Sequence, residues 1–252
     1  MHTVAFFAQG SHAVYALQQL FATGIKVENI AVITTDDKNN DVFKYFLDFN
    51  GMDFYIYDGV KNTKAYIINK LSSVDLIISI ANRVIIKNEL VDLCNYGAVN
   101  LHPGKLPEYK GSFCIPWALI NSDTHVGYAY HYITSEVDAG NILFSNEFII
   151  DNEDNAHNLH YKVMTDAITN LSFVIEKIIK KEQGILQKKE GNYYKNQLPF
   201  EGRIDPTWNM EQVNQFLKAM YFPPYTGAVV ELNGKEYIVN NLDEYIDLIN
   251  KG

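Results

Sequence analysis

The chain has 252 residues, 47% of them hydrophobic, with 21 Lys and Arg against 30 Asp and Glu for a formal net charge of -9. That apolar content supports a sizeable core and excludes a disordered chain, while the acidic balance opposes the basic face of a nucleic-acid binder. Two cysteines, Cys94 and Cys114, are too few for a disulfide scaffold and show no zinc-ligand spacing, so no metal is expected. The start, MHTVAFFAQG, lacks the features of a signal peptide, and no run of about 18 apolar residues occurs. A cytoplasmic protein without a membrane partner is the expectation.

In chain order, Thr3–Phe7 reads as a short strand broken by Gly10–Ser11. Ala13–Phe21 has the helical spacing of Leu17, Leu20 and Phe21, and Ile30–Thr34 is a β-branched strand. Phe43–Phe49 reads as a helix stopped by Gly51, Asp53–Tyr57 as a strand, and Ala65–Leu71 as a helix. Leu76–Ile80 and Ala98–Leu101 are apolar strands. Strands apolar on both faces, separated by helices, predict an α/β fold with a mostly parallel, doubly wound sheet covered on both sides.

Phe113–Ile120 then predicts a helix, Val126–Ile133 and Ile142–Ile149 strands, and Asn155–Lys181 one long helix ended by Gly184. Beyond it the texture turns polar over Gln187–Asp205. Trp208–Met220 predicts a helix, and Thr226–Leu232 and Lys235–Val239 flank Asn233-Gly234, a strong type I′ hairpin signal. Asp243–Ile249 reads as a last short helix. The expected division is a main domain over residues 1–183 and a small extension with helix and β-hairpin over 184–252.

The chemistry concentrates in residues 97–112, GAVNLHPGKLPEYKGS. Alternation along the strand puts Asn100 and His102 on one face. They emerge at the carboxyl end of a parallel strand, where such sheets bind ligands, and Pro103, Gly104 and Pro107 force an irregular loop there. Asp138 follows the strand Val126–Ile133 in a turn of small residues. Taken singly, Asp138 reads equally as a turn former, and Asn100 and His102 as satisfied polar groups at a strand end. Their joint placement favours a reaction centre.

Asn100-Leu101-His102-Pro103, then Leu106-Pro107, Tyr109 and Gly111, with Val137-Asp138-Ala139-Gly140 following, resembles the signature of the folate-dependent formyltransferases. The resemblance is good over about residues 75–180 and looser before. Gly104 departs from it, since many members carry Ser there. The resemblance implies a Rossmann-like catalytic domain, 10-formyltetrahydrofolate as donor, and a centre of Asn100, His102 and Asp138. The residue types agree. An amide can donate to the oxyanion that forms when an amine attacks the formyl carbon, an imidazole can exchange a proton, and a carboxylate can orient that imidazole or hold a relaying water. Ala81 to Lys87 resembles the family's pterin-binding loop, so Arg83, Val84, Ile85 and Ile86, with the turn Thr134–Asp138, are expected at the donor. Val84, Ile85 and Ile86 also read as ordinary core.

The family spans several acceptors. Methionyl-tRNA enzymes normally carry a further basic domain, and the residues after Gly184 are not notably basic. The segments around Gly202–Trp208 and Pro223–Ala228 resemble an extension that glycinamide ribonucleotide enzymes lack as a rule. A nucleotide-linked amino dideoxysugar is therefore the expected partner, with dTDP-4-amino-4,6-dideoxyglucose preferred and a role in surface polysaccharide (O-antigen) synthesis. Gly10, Ser11 and His12 could bind phosphate at a helix start, or form a plain turn with Ser11 as N-cap. Lys105, Tyr109, Arg203, Trp208, Tyr221, Phe222 and Tyr225 are candidate contacts to diphosphate or base. The C-terminal region is the expected homodimer surface. Formyltetrahydrofolate hydrolysis and a non-catalytic binding module remain as other readings.

Overall fold

The computed structural model describes residues 2–37, 40–188 and 190–251. Each short apolar run near the N-terminus becomes a strand of one sheet. These are β1 (Val4–Ala8), β2 (Ile30–Thr34), β3 (Phe54–Ile56), β4 (Val74–Ile80) and β5 (Cys94–His102). Every residue of β1 and β2 is buried, as expected for strands covered on both faces. The covering helices in this half are α1 (Gly10–Ala22), α2 (Asp41–Phe49), α3 (Val60–Lys70) and the short α4 (Asn88–Val91). One core cluster joins Ala5, Phe7, Ile33, Ile67, Ile77, Ile86 and Leu90.

The chain then forms β6 (Tyr109–Gly111), α5 (Cys114–Ile120), β7 (His125–Tyr132) and β8 (Ile142–Ile149). The seven-stranded sheet has the order β3-β2-β1-β4-β5-β7-β8. Pairs from β3 to β5 are parallel, and β7 lies antiparallel to β5. The doubly wound, mostly parallel sheet read from the sequence is therefore present. Two registers matter below. Ser79 of β4 faces Asn100 of β5, and Asn100 in turn faces His131 of β7.

The long helix expected over residues 155–181 is two helices, α6 (Ala156–Thr169) and α7 (Leu171–Ile179). The break is Asn170, with ψ of 3°. Its backbone N–H is shared between the carbonyls of Asp166 and Ala167, at 3.1 and 3.2 Å, and its side chain donates to the Asp166 carbonyl at 2.9 Å. A polar side chain competing for helix carbonyls interrupts an apolar face that is otherwise continuous.

The remaining elements are β9 (Asn192–Tyr194), α8 (Met210–Met220), β10 (Ala228–Leu232), β11 (Lys235–Val239) and α9 (Leu242–Lys251). α8 opens two residues later than expected, because Asn209 and Gln212 form a capping box. The Asn233-Gly234 hairpin is as expected, with φ of 52° and 73°. The β6–β9 pair had no sequence signal, since three-residue strands carry no periodicity.

By contacts the chain forms two compact units. One holds Met1–His102, Tyr128–Asn146 and Met164–Lys189; the other holds Pro103–Gly127, Glu147–Val163 and Glu190–Gly252. Residues 190–252, most of the stretch read as an extension, thus belong to a unit that also draws on two earlier segments. Within that unit α5 packs on α8. Among the described residues no helix is long and apolar enough to cross a membrane.

Candidate active site

The three residues singled out from the sequence lie in the first unit. Asn100 and His102 are carried by the last residues of β5, and Asp138 by the loop after β7. His102 Nδ1 lies 3.5 Å from Asp138 Oδ2, with both side chains buried. Catalytic hydrogen bonds of this length commonly shorten when the reacting group arrives. The expected union of two distant stretches of chain is present.

A fourth side chain completes the cluster, and the sequence reading missed it. His131 is buried and sets Nε2 3.3 Å from Asp138 Oδ1 and 3.3 Å from Asn100 Nδ2. Its Nδ1 lies 2.9 Å from the Tyr132 carbonyl oxygen. A carbonyl only accepts, so Nδ1 carries the proton and Nε2 has the lone pair in the neutral ring. His131 was within the expected strand Val126–Ile133. What brings it to Asn100 is the antiparallel register of β5 and β7, which leaves no local mark in the sequence.

The loop that presents Asp138 is tightly built. Asp138 has φ of 52°, a left-handed conformation that Asp tolerates better than most residues. Gln187 Nε2 donates to the carbonyls of both Asp138 and Gly140, at 2.9 and 2.8 Å. A Cβ at Gly140 would stand 1.9 Å from the Tyr132 carbonyl oxygen. Gly140→Ala must therefore push this loop away from β7. The expected result is a stability loss of ~2 kcal/mol, as for overpacking, together with a fall in turnover, read by thermal melting and product formation. An alanine variant with wild-type activity would show that the loop position is not needed.

On the side expected to hold the donor, Ile85 is 60% exposed, Val84 is half-buried, and Ile86 is 5% exposed within the core cluster. The side chain of Ile86 is thus packing, as the core reading had it. The backbone N–H and C=O of Val84 are both bonded by the Asn82 side chain, at 3.0 and 2.9 Å. Arg83 pairs with Asp37 at 2.6 Å. Thr134 is exposed, and its hydroxyl donates to the Glu136 carbonyl at 3.0 Å.

At the start of α1, the Gly10 N–H donates to Asn40 Oδ1 at 2.8 Å, so this amide is already engaged within the fold. Ser11 is exposed, and burial pushes the His12 imidazole below its ordinary pKa. The other acceptor-side candidates lie in the second unit. Tyr109 is buried there, its hydroxyl donating to Asp123 at 2.7 Å and accepting from Asn121 at 3.0 Å. Lys105 lies 3.6 Å from Glu147, and Arg203 pairs with Glu236, which raises the guanidinium pKa. Trp208 is half-buried against Phe200 and Phe216, with ring centroids 5.0 Å away in each case. Tyr221 and Phe222 meet His157 at 6.5 and 5.3 Å, and Tyr225 meets Phe222 at 6.2 Å. Tyr225 and Tyr221 keep exposed ring surface.

Among the described residues no group of three or more His, Cys, Asp or Glu is placed to hold a metal ion. What the cluster offers is an amide donor, two imidazoles and a carboxylate at the carboxyl ends of a parallel sheet. That set serves acyl transfer, in which an oxyanion forms and a proton leaves the nucleophile. Residues 2–175 match the family described as formyl transferase, and the chain belongs to that family and is an N-formyltransferase. It is 32% identical over 241 residues to the GDP-perosamine N-formyltransferase of Brucella melitensis, covering 95% of this chain and 93% of the relative. Its fold is similar to that of a sugar N-formyltransferase from Shewanella sp. FDAARGOS_354, with a TM-score of 0.76, 21% identity, and 95% and 96% of the two chains covered. It is also similar to that of an N-formyltransferase from Helicobacter canadensis in complex with folinic acid and dTDP-3-aminofucose. There the TM-score is 0.73 and the identity 20%, over 93% and 85% of the chains.

Proposed function

We propose that this protein transfers a formyl group from 10-formyltetrahydrofolate to the amine of a nucleotide-linked amino sugar, for use in a surface polysaccharide. The observation that carries the reaction is the Asp138 carboxylate held 3.5 Å from His102 and 3.3 Å from His131, with Asn100 alongside. The acceptor class rests on the likeness to a GDP-perosamine enzyme over 95% of the chain. That likeness puts GDP-perosamine ahead of the dTDP-4-amino-4,6-dideoxyglucose preferred from sequence.

The neutral amine attacks the formyl carbon, forming the new C–N bond as the carbonyl electrons move to oxygen. The Asn100 amide supplies an N–H donor to that oxygen, and the His102 imidazole, once it has taken the amine proton, sets a positive charge beside it. The amine proton passes to the His102–Asp138 pair, directly or through water. The bond to the donor nitrogen then breaks, and a proton is delivered to that nitrogen. On the donor side, exposed Ile85 and half-buried Val84 suit a flat heteroaromatic ring, and the backbone of Arg83 and the Thr134 turn carry polar groups for its edge. The C-terminal hairpin and α9 are the proposed dimer surface.

The deciding experiment incubates the protein with 10-formyltetrahydrofolate and, in parallel, GDP-perosamine, dTDP-4-amino-4,6-dideoxyglucose, methionyl-tRNA, glycinamide ribonucleotide or no amine. The formamide is read by mass. Turnover confined to methionyl-tRNA, to the purine precursor or to water would sink the sugar assignment. Asn100→Ala is expected to lower kcat about 100-fold, the typical cost of one preorganised oxyanion donor, with the acceptor KM nearly unchanged. A change in KM alone would remove the oxyanion role.

A further inference from the structure

The Asn100 side chain has two ends of similar size, and only its Nδ2 end can donate to an oxyanion. We propose that Asn82 and Ser79 form a directional hydrogen-bond relay that fixes which end of the Asn100 amide meets the reacting carbonyl. Both are then positioning residues for the reaction, an assignment that rests on the formyl-transfer reading above.

The polarity begins at backbone groups, which leave no choice of role. The Val84 N–H can only donate, and it bonds Asn82 Oδ1 at 3.0 Å. The Val84 carbonyl can only accept, and it takes Asn82 Nδ2 at 2.9 Å. Turning the Asn82 amide over would set like against like at both contacts. Asn82 Nδ2 also lies 3.3 Å from Ser79 Oγ, so the hydroxyl receives a proton from this side. Ser79 Oγ lies 2.7 Å from Asn100 Oδ1.

Ser79 could accept from both amides only by leaving its own proton without an acceptor at a site 2% exposed, which buried hydroxyls avoid. It therefore donates to Asn100 Oδ1, and Nδ2 is turned the other way. The far end agrees. Asn100 Nδ2 meets His131 Nε2 at 3.3 Å, and in the neutral ring that nitrogen accepts because Nδ1 donates to the Tyr132 carbonyl at 2.9 Å. Four groups thus donate in one direction, from Asn82 through Ser79, Asn100 and His131 to a backbone oxygen. The strand register supplies the geometry, since Ser79 and Asn100 are cross-strand partners.

The test reverses one link without changing its shape. In Asn82→Asp the carboxylate still accepts the Val84 N–H but cannot donate, so the Ser79 hydroxyl turns toward it and Asn100 loses its orienting donor. The expected kcat loss is about 10- to 100-fold, because part of the oxyanion stabilisation is lost, with the acceptor KM changed by less than about threefold, as for an interaction made only in the transition state. Ser79→Ala should lose kcat about 10-fold by the same reasoning, and Ser79→Thr, which keeps the hydroxyl, should recover most of it. In an Asn100→Ala background neither change should add a further loss.

Thermal melting confirms that each protein is folded. Should Asn82→Asp not fold, the Ser79 pair carries the same test. A wild-type kcat in Asn82→Asp, or losses that multiply in the Asn100→Ala background, overturns the relay while leaving Asn100 in place. An Asn100→Ala enzyme with full turnover overturns the oxyanion assignment and the relay with it.

Discussion

His102→Asn is expected to lower turnover about 1000-fold or more while leaving the protein folded, since general acid–base catalysis alone contributes about 10²- to 10⁴-fold. His102 closes β5, is 3% exposed, and directs Nδ1 at Asp138 from 3.5 Å. Asparagine at this position stays polar and planar and fills similar space. It can neither carry a positive charge beside the developing oxyanion nor accept the amine proton. Binding of both substrates should survive, so the loss belongs in kcat, and steady-state formamide production read with thermal melting separates chemistry from stability. A variant within tenfold of wild type would remove His102 from the reaction.

Asp138→Asn should be as severe, for a different reason. The backbone of residue 138 is left-handed, and Asn adopts that conformation as readily as Asp. The Gln187 bonds go to backbone carbonyls and are indifferent to the side chain. The substitution therefore keeps the loop and removes one negative charge from between two imidazoles, 3.5 and 3.3 Å away. Without it nothing stabilises an imidazolium at His102 or orients the ring as proton carrier. Losing the orienting carboxylate from such a constellation costs about 10⁴ in turnover. A rate near that of wild type, with an unchanged melting temperature, would show that the carboxylate is structural.

Much of the fold was readable because its strands are short runs rich in apolar and β-branched residues. Ile30–Thr34 and Ile142–Ile149 have the bounds expected from sequence. Strand β5 extends further back than expected, to Cys94, because polar Asn95 and flexible Gly97 mask the pairing with β4. The division of the long helix was invisible because Asn170 acts through bonds to its own helix and to Tyr128, while the apolar positions around it keep their spacing. The β6–β9 pair depends on two backbones approaching where a Cβ at Gly111 would stand 2.1 Å from the Tyr194 carbonyl oxygen. A glycine read in isolation does not reveal which distant strand requires it.

At the site, Asn100, His102 and Asp138 were legible because local order placed two of them on one strand face and the third in a marked turn. His131, Ser79, Asn82 and Gln187 were not legible, although each is an ordinary polar residue in plain view. Tyr109, read as a ligand contact in sequence, is itself buried, with its hydroxyl bonded to half-buried Asp123 and exposed Asn121.

By itself the sequence determined the alternation of buried strands and helices, the strand end that carries an amide and an imidazole, and the membership in a one-carbon transfer family. Only the tertiary structure decided that β7 runs antiparallel beside β5 and so sets His131 against Asn100. It alone decided that Ser79 stands behind the amide and that Gln187 holds the aspartate loop. Side-chain periodicity is a property of one segment and survives in its residues. Register between strands depends on how separate segments are stacked, and no residue records it alone.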